Sequence, residues 1–449
     1  MKNGSVGTSF AEKLLELAIQ EGADEAEVYV KASRYMGIEV KELKIDTLER
    51  SDSIGYSVRV FRDGRLGFSY STDPSDIRTV ARDAVEASRF TERDEYNSLP
   101  AGGPHSPVVV YDEAVDALGE KEAIEMVISM ENAAMNEDGR ISKTRNASGS
   151  FGSAITRIIN SQGIDLEFAA TSCSAHIMAV AEGNGESQMG WDYQGSRFLR
   201  DISFREVGRS AASRALQTLG AKKIASTKGF ILLDHSVAAD FLGILSSALS
   251  AEAVQKNKSM LAGKIGETVI SPRIDIIDSA LLDGRLGSRP ADDEGVATSQ
   301  KTLIEKGILK GYLYNTYTAK KGHAVSTGNA VRGGFSGLPK VGPTNFFVSA
   351  SSREYESDFE GLIKRIDKGV YVTETMGMHT ANPVSGEYSI GISGLWVENG
   401  EIAHPVKETV ISGNILQLFK NIVLIGDDLR FYGNIGSSRL LAGDIDISG

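Results

Sequence analysis

At 449 residues, with 41% hydrophobic and 24% charged side chains, the chain has the composition of a globular protein and the length for two or three separately cored domains. A formal net charge of −12, with no clustered run of Lys and Arg, excludes direct binding of a nucleic-acid backbone. A lone cysteine, Cys173, excludes an intramolecular disulfide and a cysteine-cluster metal site.

No stretch approaches the roughly 18 consecutive apolar residues of a membrane span. The N-terminal MKNGSVGTSFAEKLLELA lacks the unbroken apolar core of a secretory signal, so a cytoplasmic protein is expected. Glycine is abundant at 48 and proline scarce at 10, and the glycines fall among strand-like runs, which predicts tight turns and hairpins.

Ser9 to Gly22 carries Phe10, Leu14, Leu15, Leu17 and Ala18 at helical spacing, with Gly22 as the stop. The period then changes. Residues 26–35, 36–45 and 54–72 alternate as strands, the last folded at Asp63-Gly64, a type I′ hairpin signal. Residues 76–89 return to helix, with Ile77, Val80, Ala81, Ala84 and Val85 on one side. Glu120 to Asn136 is a second amphipathic helix, followed by strands at 153–160 and 164–180 around Ser161-Gln162-Gly163. Helix followed by antiparallel strands thus occurs twice, as a duplication would give, with a sub-boundary near 105–118, although the two copies match poorly in sequence.

A third helix, Phe204 to Leu219, ends at Gly220, and a new core opens with GFILLD. The main boundary is therefore expected between an N-terminal α+β domain (1–222) and a C-terminal, strand-rich domain (226–449). The latter should hold a helix at 237–251, strands over 269–314 and a helix at 357–366. After these comes the block from Tyr371 to Asn414: strand, Gly-rich loop, strand, Asn399-Gly400 turn, strand. A helix near 415–421 and a strand near 440–447 close the chain. Hairpin-linked strands with interspersed helices predict an α+β class with mixed and antiparallel sheets.

Chemical motifs are sparse. Gly263-Lys264 lacks the first glycine of a phosphate loop, position 258 being Lys, and GNGESQ (183–188) ends in Gln where a dinucleotide fingerprint needs glycine. AVSTG, with Ser326, has no apolar strand leading into it and reads as a polar loop. No two of the six histidines have the spacing of ligands on one helix face. Cys173 and His176 should point to opposite faces of one strand, the cysteine as a small buried hydrophobe. His176, His323 and His404 read as structural or solvent-facing. Asp234-His235-Ser236, after an apolar strand, reads as a capped helix start.

Several blocks together resemble the PmbA (TldE) branch of the TldD/PmbA family. They are TETMG, the hairpin SGEYSIGISGLWVENGEI with PVKETVISGN behind it, KNIVLIGDDL, and DDEGVATSQKTLIEKGILKGYLYNTYTAKK (292–321). The N-terminal AEVYVKASRYMGIEVKELKID and IGYSVRVFRDGRLGFSYSTD agree, so the resemblance runs from about residue 8 to 449. It implies a cytoplasmic heterodimeric metalloprotease that admits unfolded peptides to an enclosed channel. There the TldD subunit carries zinc on a His-Glu-x-x-x-His motif and a distant cysteine.

Laid on that motif, His235 keeps the first histidine, Ser236 replaces the glutamate, Asp240 the second histidine and Tyr432 the cysteine. Catalytic zinc ordinarily keeps three protein ligands. His235 and Asp240 offer two at best, and Tyr432 is a poor third at a phenol pKa of about 10. Ser236 cannot act as general base, a role worth about 10²–10⁴ in rate. No catalytic residue, metal ligand or cofactor is therefore expected in this chain. The resemblance implies a non-catalytic subunit that binds unfolded peptide beside a zinc-bearing TldD-type partner, or pairs with itself in isolation. No nucleic acid or membrane partner is expected. Tyr388 and Trp396 are candidates to line the peptide surface, with placement in the hairpin's core the other reading. Two further functions stay open: a stand-alone homodimeric peptidase using His235 and Asp240, and an adaptor without enzymatic activity.

Overall fold

The computed structural model describes residues 8–183 and 185–449. Residues 1–7, part of the segment expected to carry no secretory signal, and Asn184, within the GNGESQ motif, lie outside them. The first half runs α1 (Thr8–Gln20), β1 (Glu25–Lys41), β2 (Lys44–Arg62), β3 (Arg65–Ser71) and α2 (Ile77–Ala87). A short α3 (Glu113–Asp116) leads to α4 (Glu120–Met135), β4 (Ile141–Asn160), β5 (Asp165–Gly183), β6 (Glu186–Ser196) and α5 (Phe204–Gln217).

The six strands form one antiparallel sheet in the order β3-β2-β1-β4-β5-β6. Each half of the sheet is a three-strand meander bracketed by helices, and the halves join where β1 pairs with β4, Val28 opposite Ile159 and Met36 opposite Phe151. These residues turn to one face, where Leu14, Leu17, Val80 and Val85 cover one end and Val127, Met130, Phe204 and Val207 the other. Burial of these helix stripes against a single sheet face is the hydrophobic drive for this half.

Two expected strands, 26–35 and 36–45, prove to be the continuous β1. Met36, Ile38 and Val40 carry the alternation of Val28 and Val30 onto the same buried face, so nothing stops the strand. The turn falls instead at Glu42-Leu43, with φ of 54° and 59°. Neither residue signals a left-handed turn. The carboxylate of Glu131 holds it from outside by accepting the backbone N–H groups of Glu42 at 3.1 Å and Leu43 at 2.6 Å. The type I′ turn at Asp63-Gly64 forms where expected, with φ of 50° and 71°.

The second half begins with β7 (Thr227–Leu233), α6 (His235–Ala248), α7 (Ala251–Gln255), β8 (Ile274–Ser279), β9 (Gln300–Glu305) and β10 (Ile308–Leu309). It continues through α8 (Thr316–Lys321), β11 (Ala330–Val331), β12 (Lys340–Val341), β13 (Asn345–Ala350), β14 (Glu356–Ser357) and α9 (Phe359–Lys364). The expected block follows as β15 (Lys368–Met376), β16 (Glu387–Glu398) and β17 (Glu401–Asn414). Then come α10 (Ile415–Lys420), β18 (Ile422–Gly426), β19 (Arg430–Tyr432), β20 (Ile435–Ser437) and β21 (Leu440–Ser448).

One sheet has the order β10-β9-β8-β13-β20-β19, and another β14-β18-β21-β17-β16-β15-β7. The second closes on itself, because β21 pairs with β17 and β18 on one edge and with β7 on the other. Closure removes the open edges that long hairpins otherwise expose. Helix α6 is buried over most of its surface, with Asp240 and Ser247 exposed, and lies within the core shared by the two sheets. Its Phe241, Leu242 and Leu245 pack with Ile231, Val372 and Ile392 of one sheet and Ile276, Phe346 and Val348 of the other. The region expected to be rich in strands over 269–314 contains β8, β9 and β10, while residues 280–299 form a loop pinned by Asp292. That carboxylate accepts the N–H groups of Glu294 at 2.9 Å, Val296 at 3.0 Å and Ala330 at 2.9 Å.

A buried ionic chain ties the halves together. Arg59 of β2 donates to Glu294 at 2.9 Å and to Glu27 of β1 at 2.8 Å, while Arg332 bonds the other oxygen of Glu27. The Asp293-Glu294-Gly295 block is therefore a docking hub. Among the described residues, no helix is long and apolar enough to cross a membrane.

Candidate functional site

The site lies where α6 begins, beneath the sheet that closes on itself. Asp234 occupies the N-cap position, yet its side chain makes no capping hydrogen bond. Its carboxylate, 0% exposed, instead accepts Nη2 of Arg214 from α5 at 2.8 Å and the hydroxyl of Tyr371 from β15. Nε of Arg439, just before β21, stands 3.7 Å from the same carboxylate.

His235, 6% exposed, points Nε2 at Asp428 Oδ2, 3.2 Å away. Its Nδ1 lies 3.7 Å from Asp234, beyond hydrogen-bond reach, and has no partner. Arg439 closes the ring: Nη1 pairs with Asp428, and Nε donates to the Tyr371 hydroxyl at 3.2 Å. Two carboxylates, two guanidiniums, one imidazole and one phenol thus form a single network.

The ionisation states follow from the packing. Burial would raise Asp234, but His235, Arg214 and Tyr371 outweigh it and hold the carboxyl below its ordinary range. Burial likewise acts against Asp428, which His235 and Arg439 lower. Burial would depress His235, yet its two carboxylate neighbours raise it above the ordinary imidazole value. Tyr371 is raised by burial and then by Asp234, so it stays a neutral donor.

Of the four positions assigned from the resemblance, only His235 enters this network. Ser236 is buried in the first turn of α6. Asp240 is exposed and accepts a hydrogen bond from Thr375 at 3.3 Å. It makes no contact with His235, whose Nε2 is turned to Asp428 instead. Tyr432 on β19 buries its hydroxyl without a hydrogen-bond partner. Its ring stacks on Tyr193 at 6.4 Å and meets Trp191 edge-on at 5.9 Å. Burial pushes its phenol up to about 12. Among the described residues, no three His, Cys, Asp or Glu side chains are arranged to hold a metal ion.

The peptide-surface candidates require correction. Tyr388, 5% exposed, packs edge-on against Phe241 of α6 at 5.1 Å, and Trp396, 7% exposed, joins the same core. The alternation of β16 turns both inward, so neither lines an open surface. Cys173 is buried, its thiol donating to Ser196 O at 3.4 Å and pushed up to about 12, chiefly by burial. Ser326 lies in a loop, its hydroxyl 3.4 Å from Tyr314 O. His176 and His404 lie 3.3 Å and 3.0 Å from backbone carbonyls, and His323 is exposed.

Sequence reasoning missed Arg214, Tyr371, Asp428 and Arg439. Tyr371 and Asp428 sit within or beside blocks singled out for their resemblance (TETMG and KNIVLIGDDL), which was the available signal. Family models of the PmbA/TldA metallopeptidases match domain 1 over residues 26–88, the central domain over 113–219 and the C-terminal domain over 226–449. The chain belongs to this PmbA/TldD family.

The metalloprotease PmbA of Escherichia coli O157:H7 is 29% identical over 97% of this chain and 94% of its own. A Thermotoga maritima crystal structure, described as a candidate modulator of a DNA gyrase, matches with a TM-score of 0.89 at 30% identity, over 98% of this chain and 99% of that one. TldE from Thermococcus kodakarensis shares the fold with a TM-score of 0.89 at 22% identity, over 98% of this chain and 100% of that one.

Proposed function

We propose that this protein is a TldE-type subunit which holds no catalytic metal and binds unfolded peptide alongside a zinc-bearing TldD-type partner. The observation that carries the proposal is the network around His235. The one retained metal-ligand type is engaged with Asp428, and Arg439 occupies the neighbourhood with its guanidinium. A divalent ion set there would have to displace Arg214, Arg439 and His235 from the two carboxylates that already neutralise them. With Asp240 bonded to Thr375, Tyr432 neutral and no glutamate at position 236, the donor set does not suit zinc.

What these residues do is structural. They fix the start of α6 and the β18–β19 loop against α5 through paired charges, leaving the fold to contribute a chamber wall. A wall of this kind favours extended polypeptide, whose backbone offers hydrogen bonds regardless of sequence. The net charge of −12 gives the gyrase description no support as direct DNA contact. We place the complex in the cytoplasm, in keeping with a lone buried thiol.

Metal analysis and a peptidase assay with an unstructured peptide test this, on the purified chain alone and mixed with a TldD-type subunit. Trace metal and no cleavage by the chain alone, with cleavage by the mixture, are expected. Stoichiometric zinc in the isolated chain, or cleavage by it that His235→Ala abolishes, would overturn the proposal.

A further inference from the structure

The sheet of the first half has a second face, opposite the helices α1, α2, α4 and α5, on which small polar side chains lie among larger ones. Ser33 and Ser53 hydrogen-bond across β1 and β2 at 2.9 Å, and Ser150 and Ser174 across β4 and β5 at 2.8 Å. Where this face meets loops of the second half, around Arg289, Arg332 and Asn434, it bounds a cleft of about 650 Å³.

The charge in that cleft is lopsided. Lys31, Arg34, Arg197, Arg289 and Arg332 line it against one carboxylate, Asp293. Three of the cations are neutralised: Arg332 by Glu27, Arg289 by Asp293 at 3.3 Å, and Arg34 by Asp52 at 3.4 Å and Asp116 at 3.9 Å. The other two are not. Lys31 makes no ion pair among the described residues, and Arg197 bonds only neutral carbonyls. Its Nη1 donates to Thr171 O at 3.0 Å and its Nη2 to Leu286 O at 2.6 Å and Ser288 O at 3.1 Å, while Nε is buried without a partner. Burial, then Arg289, pulls Arg197 down to about 10, so it remains cationic at neutral pH. A buried charge without a counter-charge is costly, and here it sits in a protein whose overall charge is −12.

We propose that this cleft receives a carboxylate of an extended peptide, a C-terminus or an Asp or Glu side chain, with Lys31 and Arg197 as its counter-charges. This deepens the peptide-chamber reading and rests on it. The chain as a whole repels anions, so a preference for acidic peptide can arise only locally, and the small side chains of the sheet face leave room for a backbone to lie beside the two cations.

Fluorescence anisotropy of the full-length chain tests it, using labelled unstructured peptides identical except for Glu in one and Gln in the other, each with a free or an amidated C-terminus. The Glu peptide should bind about tenfold or more tightly, the effect of a charge-assisted contact, and the preference should collapse in Lys31→Gln and at raised salt. Amidation distinguishes terminal from side-chain carboxylates. Arg197→Lys should weaken the preference too, and the half-buried Lys31 supplies the decisive variant should that one fail to fold. Equal binding of the Glu and Gln peptides, together with no loss on amidation, would overturn the proposal while leaving peptide binding intact. So would a preference unchanged in Lys31→Gln. No peptide binding at all would remove both readings.

Discussion

Replacing Asp234 with Asn removes one charge from the network around α6 and little else. The carboxylate's capping role is not at stake, because it makes no capping bond and Asn caps as well as Asp. What is lost is the anion 2.8 Å from Arg214, a guanidinium whose side chain is only 18% exposed. Arg439 keeps Asp428, so one cation is orphaned and not two. Removing one partner of a buried ion pair typically costs about 3–5 kcal/mol; partial solvent access to Arg214 argues for the lower end, about 3 kcal/mol. Urea unfolding followed by Trp396 fluorescence in a Trp191→Phe background reads the second half's core directly, since the chain has two tryptophans. The midpoint should fall sharply in Asp234→Asn and recover much of the loss in the Arg214→Met double variant, where the orphaned cation is gone. A loss under about 1 kcal/mol, the range of exposed pairs, would refute the buried-network reasoning.

Three further outcomes are expected. Asp234 and Asp428 are held below the ordinary carboxylate value, so their stabilisation is full above about pH 4 and is lost as pH falls through the depressed folded values. His235 is raised, so its share is full below about pH 6.5 and is lost as pH rises through the folded value. A plot of unfolding midpoint against pH should peak between these limits and lose its upper limb in His235→Gln. Glu294→Gln leaves Arg59 and Arg332 to share the single carboxylate of Glu27 at the buried junction of the halves and should cost about 3 kcal/mol, read as faster hydrogen exchange in β2 and the 292–295 turn; unchanged exchange would count against the docking role. Leu43→Gly relieves a left-handed residue at the β1–β2 turn and should stabilise by about 1 kcal/mol, seen as a raised unfolding midpoint, whereas a lowered one would contradict the turn geometry.

Strand and helix identity was legible wherever a period ran uninterrupted. The helices at 8–20, 120–135 and 204–217, and the three-strand block closing through Asn399-Gly400, appear as the pattern foretold. Reading failed where a turn lacked turn chemistry: Glu42-Leu43 is held in place by Glu131, nearly ninety positions away, and no local window contains that carboxylate. The β6 strand, rich in polar and small residues, gave no apolar period and was missed.

The site divides in the same way. Substitution at Ser236, Asp240 and Tyr432 is visible in the chain alone, because the identity of a metal donor is a property of a residue type. That Tyr388 and Trp396 turn inward, and that Arg214, Asp234, His235, Tyr371, Asp428 and Arg439 converge, depends on five separate segments meeting at one helix terminus. Sequence determines which groups can carry charge and which faces must leave water, since both are local. Their pairing across long stretches of chain is set by how two sheets close around α6, and only the tertiary fold decides it.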